Sequence, residues 1–99
     1  VTHVIHPEAD AEFAEAVTSY SAIDPQAGIR FYREIERLIR EICAQPQRFW
    51  RFSPPVRRAL STEFPYSVVY LEQPDRVWIV AVMHAKRQPG YWRTRLGQA

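Results

Sequence analysis

The hydrophobic positions divide this chain into a helical first half and a strand-rich second half. Thr2-His3-Val4-Ile5 has the character of a short opening strand. Ala9, Phe13, Ala16, Val17 and Tyr20 then recur at helical spacing, which predicts an amphipathic helix from about His6 to Ser21. Pro7 falls in the first turn, where a missing N–H is tolerated, and Glu8 and Asp10 lie near the positive end of the helix dipole. Asp24-Pro25 repeats the start signal, with Asp24 as N-cap. Phe31, Ile35, Leu38 and Ile42 form the buried stripe of a second helix, widened by Tyr32 and Ile39. Its outer face offers Glu36 with Arg40 and Arg37 with Glu41 as i,i+4 pairs, and Pro46 ends it. A link this short predicts two antiparallel helices, a hairpin.

After Pro46 the pattern changes. Phe49 to Pro55 reads as an aromatic, proline-punctuated connector. Val56 to Thr62, Ser67 to Gln73 and Val77 to Ala85 read as strands, separated by a bend at Phe64-Pro65-Tyr66 and a turn at Pro74-Asp75. The expected fold is α+β, in the order β-α-α-β-β-β with a short C-terminal tail or helix. An antiparallel sheet of about four strands would pack one face on the N-terminal helical hairpin. With 99 residues the chain suffices for one domain, 1–99, and one modest core.

Composition narrows the classes. A lone cysteine, Cys43, rules out an internal disulfide and a cysteine-based zinc site, and suits a reducing cytoplasm. No apolar run reaches membrane-spanning length, and early acids interrupt any signal-peptide pattern in residues 1–20. The net charge of +2 conceals an asymmetry. Residues 1–45 hold eight acids against four arginines, whereas residues 46–99 hold nine bases against three acids. A basic half of this kind attracts a polyanion or an acidic protein segment, although most such patches are only solvated surface.

The candidate chemistry lies in that basic half. Arg57 and Arg58 are strand neighbours, so their side chains leave opposite faces. Because Val56 and Leu60 share parity with Arg58, Arg57 is expected on the open face with Ser61. One arginine would pair with a helix carboxylate and the other would bind a phosphate or carboxylate. His84 shares strand parity with Trp78, Val80 and Val82; Lys86 and Arg87 beside it would favour a neutral imidazole. Tyr91 next to Arg93 has the makings of a base-stacking pair, with Trp92 capping the core edge and Arg95 adding a further cation. There is no P-loop and no glycine-rich nucleotide loop, so no cofactor is expected. His3 and His6 lack a third ligand and read as structural, so no metal is expected either.

These residues, in this order, resemble the RelE/ParE superfamily of small toxins from type II toxin–antitoxin modules, in particular the plasmid stabilisation group. The resemblance rests on His6-Pro7-Glu8-Ala9 with Glu12-Phe13, on Phe31-Tyr32 with Ile35-Glu36, and on Pro46 and Phe49. It continues through Val56-Arg57-Arg58, Phe64-Pro65-Tyr66, Val69-Tyr70 and Ala81-Val82, and ends with His84, Arg87, Pro89-Gly90-Tyr91-Trp92 and Arg95. It implies a growth-arresting toxin neutralised by an antitoxin encoded beside it, in a hetero-oligomer. RelE-like members cut messenger RNA on the ribosome, whereas ParE-like members poison DNA gyrase. On the first mechanism His84 or Tyr91 would exchange protons while Arg57 or Arg58 and Arg87 clamp the phosphate, with Lys86, Arg93 and Arg95 gripping the RNA. On the second, the same residues need only form a binding surface. A third class is a degenerate module that pairs with an antitoxin and has no activity of its own.

Overall fold

The computed structural model describes residues 1–98. Strand β1 (Thr2–Ile5) leads into helices α1 (Pro7–Ile23) and α2 (Pro25–Ala44). Strands β2 (Trp50–Ser53), β3 (Val56–Leu60), β4 (Tyr66–Glu72) and β5 (Arg76–His84) follow, and a 3-10 turn (Arg93–Gln98) closes the tail. Asp24 ends α1 with its backbone N–H and caps α2 with its carboxylate, which accepts from the Gln26 N–H at 3.0 Å. The two helices meet closely at Gly28, where a Cβ would lie 1.8 Å from the Ser21 hydroxyl. No described helix is long and apolar enough to cross a membrane.

The sheet has five strands in the order β1-β5-β4-β3-β2 and is mixed, not purely antiparallel. One feature makes the sheet mixed and another adds a fifth strand to the expected four. β1 runs parallel to β5, with Thr2 opposite Arg76 and Ile5 opposite Ile79, a pairing across most of the chain that no local pattern signals. The segment read as a connector supplies β2, a four-residue edge strand paired irregularly with β3 and followed by a cis Pro54-Pro55 bond. Prolines fit beside an edge strand because one side of its backbone has no partner.

Both sheet faces are covered in part. On the helix side, Ala59, Val68, Tyr70, Val77, Ile79 and Val82 bury against Phe13, Phe31, Ile35 and Ile42. On the other side Val56, Val69, Trp78, Val80 and Met83 pack around Trp92, which is fully buried. This second layer inverts the faces expected for β3. Val56 is apolar because it meets the tail-side cluster, not the helices. Arg57, Ala59 and Ser61 therefore face the helices, and Arg58 and Leu60 the opposite side.

A bulge in β5 changes parity a second time. Val69 pairs with Ala81 and Tyr70 with Ile79, leaving Val80 as the extra residue. Trp78 thus lies on the outer face while Val82 and His84 turn towards α1, so His84 does not share the side of Trp78.

Glu34 on the buried stripe of α2 is 5% exposed and bound by Arg37 at 2.8 and 3.1 Å and by the Ser61 hydroxyl at 2.7 Å. Burial opposes its charge, but these donors outweigh burial and hold its carboxyl below its ordinary value of 4.5. A folded-state pKa below the unfolded one stabilises the fold above about pH 4.5, and that contribution is lost as pH falls through the folded value. Urea midpoints of wild type and Glu34→Gln should therefore differ most near neutrality and converge as falling pH protonates the folded-state carboxyl. A gap that stays constant across that range would assign the effect to packing.

Candidate functional site

The free part of β5 and the tail build the site. β1 accompanies β5 only as far as Ile79, whose carbonyl takes the His6 N–H at 2.9 Å. Beyond that point β5 would present an unpaired edge. Two side chains stand in for the missing strand. Glu12 of α1 accepts the Val82 N–H at 3.1 Å, and Arg95 of the tail donates to the Val80 carbonyl at 3.0 Å. The same two residues grip each other through paired bonds of 3.0 and 2.9 Å, the bidentate geometry that makes arginine–carboxylate contacts strong. Arg95 is 7% exposed. The Tyr91 hydroxyl adds a bond of 2.7 Å to Glu12, and Glu8 reaches the Arg95 Nε at 3.2 Å.

This hub orders the tail. Gly90, at φ 78°, makes the left-handed turn that brings Tyr91 back over α1. The far end is latched where Gln98 meets His6 Nε2 at 2.5 Å, while His6 Nδ1 caps α1 by accepting the Glu8 N–H at 3.0 Å. Since Nδ1 accepts, Nε2 carries the proton and donates to Gln98. His6 is thus occupied in joining strand, helix and tail.

A small open cleft of about 210 Å³ lies beside the hub, lined by Glu12, Glu15, Tyr66, His84, Arg87 and Tyr91 among others. Arg87 is exposed and its guanidinium lies 3.8 Å from the centre of the Tyr91 ring. It forms no ion pair among the described residues. A tight turn holds it in place: the Arg87 N–H bonds the His84 carbonyl at 3.0 Å, and the Lys86 N–H bonds His84 Nδ1 at 2.9 Å. Burial, reinforced by the hydrogen bond to Glu12, raises the Tyr91 phenol well above its ordinary value.

The structure brings His84, Arg87 and Tyr91 together at this cleft and sends the remaining candidates elsewhere. Lys86 and Arg93 are exposed on the loop and tail. Arg95 is inside the hub. Arg57 lies on the helix side, where it donates to the carbonyls of Gln47 and Phe49 at 3.1 and 2.8 Å and ties down the segment before β2. Arg58 lies on the outer face against Trp50 and Phe52. Neither strand arginine lines the cleft of His84. Glu12 was missed as a functional position, although a signal existed. It lies three residues after Ala9 and four before Ala16, so α1 places a carboxylate on its own buried stripe. A carboxylate there requires donors from elsewhere in the chain.

The model of the ParE toxin of type II toxin–antitoxin systems, parDE, matches residues 4–89. The chain belongs to the ParE toxin family. The match takes in Glu12, Arg57, Arg58, His84, Lys86 and Arg87 and stops before Tyr91, Arg93 and Arg95. The fold is similar to that of a solved structure, the chromosomal ParDE toxin–antitoxin system from P. aeruginosa, with a TM-score of 0.73. That superposition covers 85% of this chain and 95% of the other at 16% identity, which is likeness of fold. No curated protein matches the sequence. Membership of the ParE family gives the chain the toxin role in a toxin–antitoxin pair and implies an antitoxin partner.

Proposed function

We propose that this ParE-family toxin arrests growth in the cytoplasm by binding DNA gyrase, and that a cognate antitoxin neutralises it in a hetero-oligomer. The observation that carries this reading is the engagement of both groups that could have moved protons. Cleaving RNA at a 2′-hydroxyl needs a base with a free lone pair and an acid that can release a proton. The Nδ1 lone pair of His84 is taken by the Lys86 N–H, which leaves the neutral ring a donor at Nε2. The Tyr91 proton is directed into Glu12, and its raised pKa opposes release. Arg57 and Arg58 lie away from the cleft, so no second guanidinium from β3 meets Arg87 across a phosphate. An exposed guanidinium on a rigid ring beside a small cleft instead suits recognition of a protein surface, where arginine and aromatic anchors dominate.

Controlled expression tests the target. DNA synthesis should fall within minutes, with a DNA-damage response and intact mRNA, and co-expression of the antitoxin from the adjacent reading frame should restore growth. Early loss of translation with codon-phased mRNA breaks would establish the nuclease mechanism in its place. Normal growth under full expression would leave a non-toxic binding module. His84→Gln should still arrest growth, since no proton transfer is asked of it; a variant that folds but no longer arrests would return His84 to catalysis.

A further inference from the structure

We propose that the cleft beside the hub is a two-signed socket, in which Arg87 takes a carboxylate of the gyrase surface and Glu15 takes a cation close to it. The inference deepens the proposed function and rests on that reading. It adds Glu15 to the site, and a partner segment that carries both charges.

Three charged side chains line the cleft: Glu12, Glu15 and Arg87. Glu12 is satisfied within the molecule, since Arg95 meets its two oxygens at 3.0 and 2.9 Å and the Tyr91 hydroxyl donates to it at 2.7 Å. Glu15 and Arg87 are both exposed, and neither forms an ion pair among the described residues. These opposite charges share one cleft of about 210 Å³ without closing on each other. The Tyr91 ring explains why. Its centre lies 3.8 Å from the Arg87 guanidinium, and its hydroxyl is held by Glu12. A surface ion pair is weak enough for a well-placed ring to hold the cation instead. The cleft thus presents a positioned cation and an uncompensated acid, with the Ser19 and Tyr66 side chains beside them.

The partner follows from the two signs. A nucleic-acid backbone brings negative charge at every step, and here it would meet one free cation with an unpaired carboxylate next to it. A lone acid would satisfy Arg87 and leave Glu15 facing a like charge. A protein segment with an acid and a base on one face, a helical turn or two strand positions apart, satisfies both at once. Complementarity of this kind fixes register and rejects wrong partners more than it raises affinity. Arg87 alone would accept any anion, and Glu15 makes the choice.

Anisotropy of the labelled full chain with purified, DNA-free gyrase tests it. Arg87→Gln should weaken binding about tenfold or more, and Glu15→Gln about fivefold. Asp75→Asn, which removes an exposed acid between β4 and β5, should bind as wild type does. Arg87→Glu combined with Glu15→Arg reverses both signs at an unchanged net charge of +2, so it should bind more weakly than either glutamine variant. Urea midpoints check that each variant folds; should the reversed pair not fold, the two glutamine variants decide. Unchanged or tighter binding by Glu15→Gln overturns the proposal and leaves the gyrase reading intact, as does a reversed pair that binds as tightly as wild type. Failure of the wild-type chain to bind gyrase overturns that reading and this inference with it.

Discussion

Glu12→Ala should lower the unfolding free energy by about 3–5 kcal/mol and release the tail. The size of the effect comes from what remains behind. Arg95, with a side chain 8% exposed, loses both bonds to Glu12 and keeps only the Val80 carbonyl and the solvent-exposed Glu8. A buried charge stripped of its partner costs far more than the net worth of the pair, because desolvation is no longer offset. The Val82 N–H and the Tyr91 hydroxyl lose their acceptor in the same step. Urea unfolding measures the loss, and hydrogen exchange over residues 91–98 should rise well before the core opens. A double replacement, Glu12→Leu with Arg95→Met, should recover a large part of the stability, since removing both charges leaves neither stranded. If Glu12→Ala costs less than about 1 kcal/mol, the hub does not hold the tail.

Arg87→Ala should have the opposite profile, with growth arrest abolished and the fold almost unchanged. Arg87 is exposed, and its main contact is the Tyr91 ring at 3.8 Å, a cation–π contact worth about 0.5–1 kcal/mol at such sites. Removing it should therefore shift the unfolding midpoint little, while deleting the one cation that the cleft presents among the described residues. Arg87→Lys keeps the charge but not the planar fork and should restore arrest only partly. Antitoxin capture by Arg87→Ala, with unfolding followed in parallel, is the control. Undiminished arrest by a folded Arg87→Ala protein would move the functional surface away from the cleft. The two variants together separate positioning from contact: on the proposed function Glu12 would act through Tyr91 on the place of Arg87, and Arg87 itself would meet the target.

Much of the fold was legible because its signals are local. The apolar spacing from Ala9 to Tyr20 and from Phe31 to Ile42, with the Asp24-Pro25 start, needs no partner to be read, and both helices form where expected. The three long strands of the second half likewise stand within a few residues of their expected limits. β2 was not legible, since four residues before two prolines become a strand only when β3 supplies their hydrogen bonds. The faces of β3 were inverted because apolar residues mark burial without saying against what. The side of His84 was misassigned because one bulged residue, Val80, resets the two-residue period.

The site divides along the same line. Sequence alone named His84, Arg87 and Tyr91 as candidates and showed that the second half is basic. It also determined the family, because order and spacing of many weak matches survive where no single motif is strong. Only the tertiary structure decided that Tyr91 and Arg95 are held by Glu12, which precedes them by 79 and 83 residues, and that Arg57 and Arg58 turn away from the cleft. The physical reason is that charge and hydrogen-bonding capacity are properties of a residue, whereas satisfaction is a property of a place. Whether an arginine is a free hand or a buried strut depends on which carboxylate folding brings to it, and no local pattern carries that information.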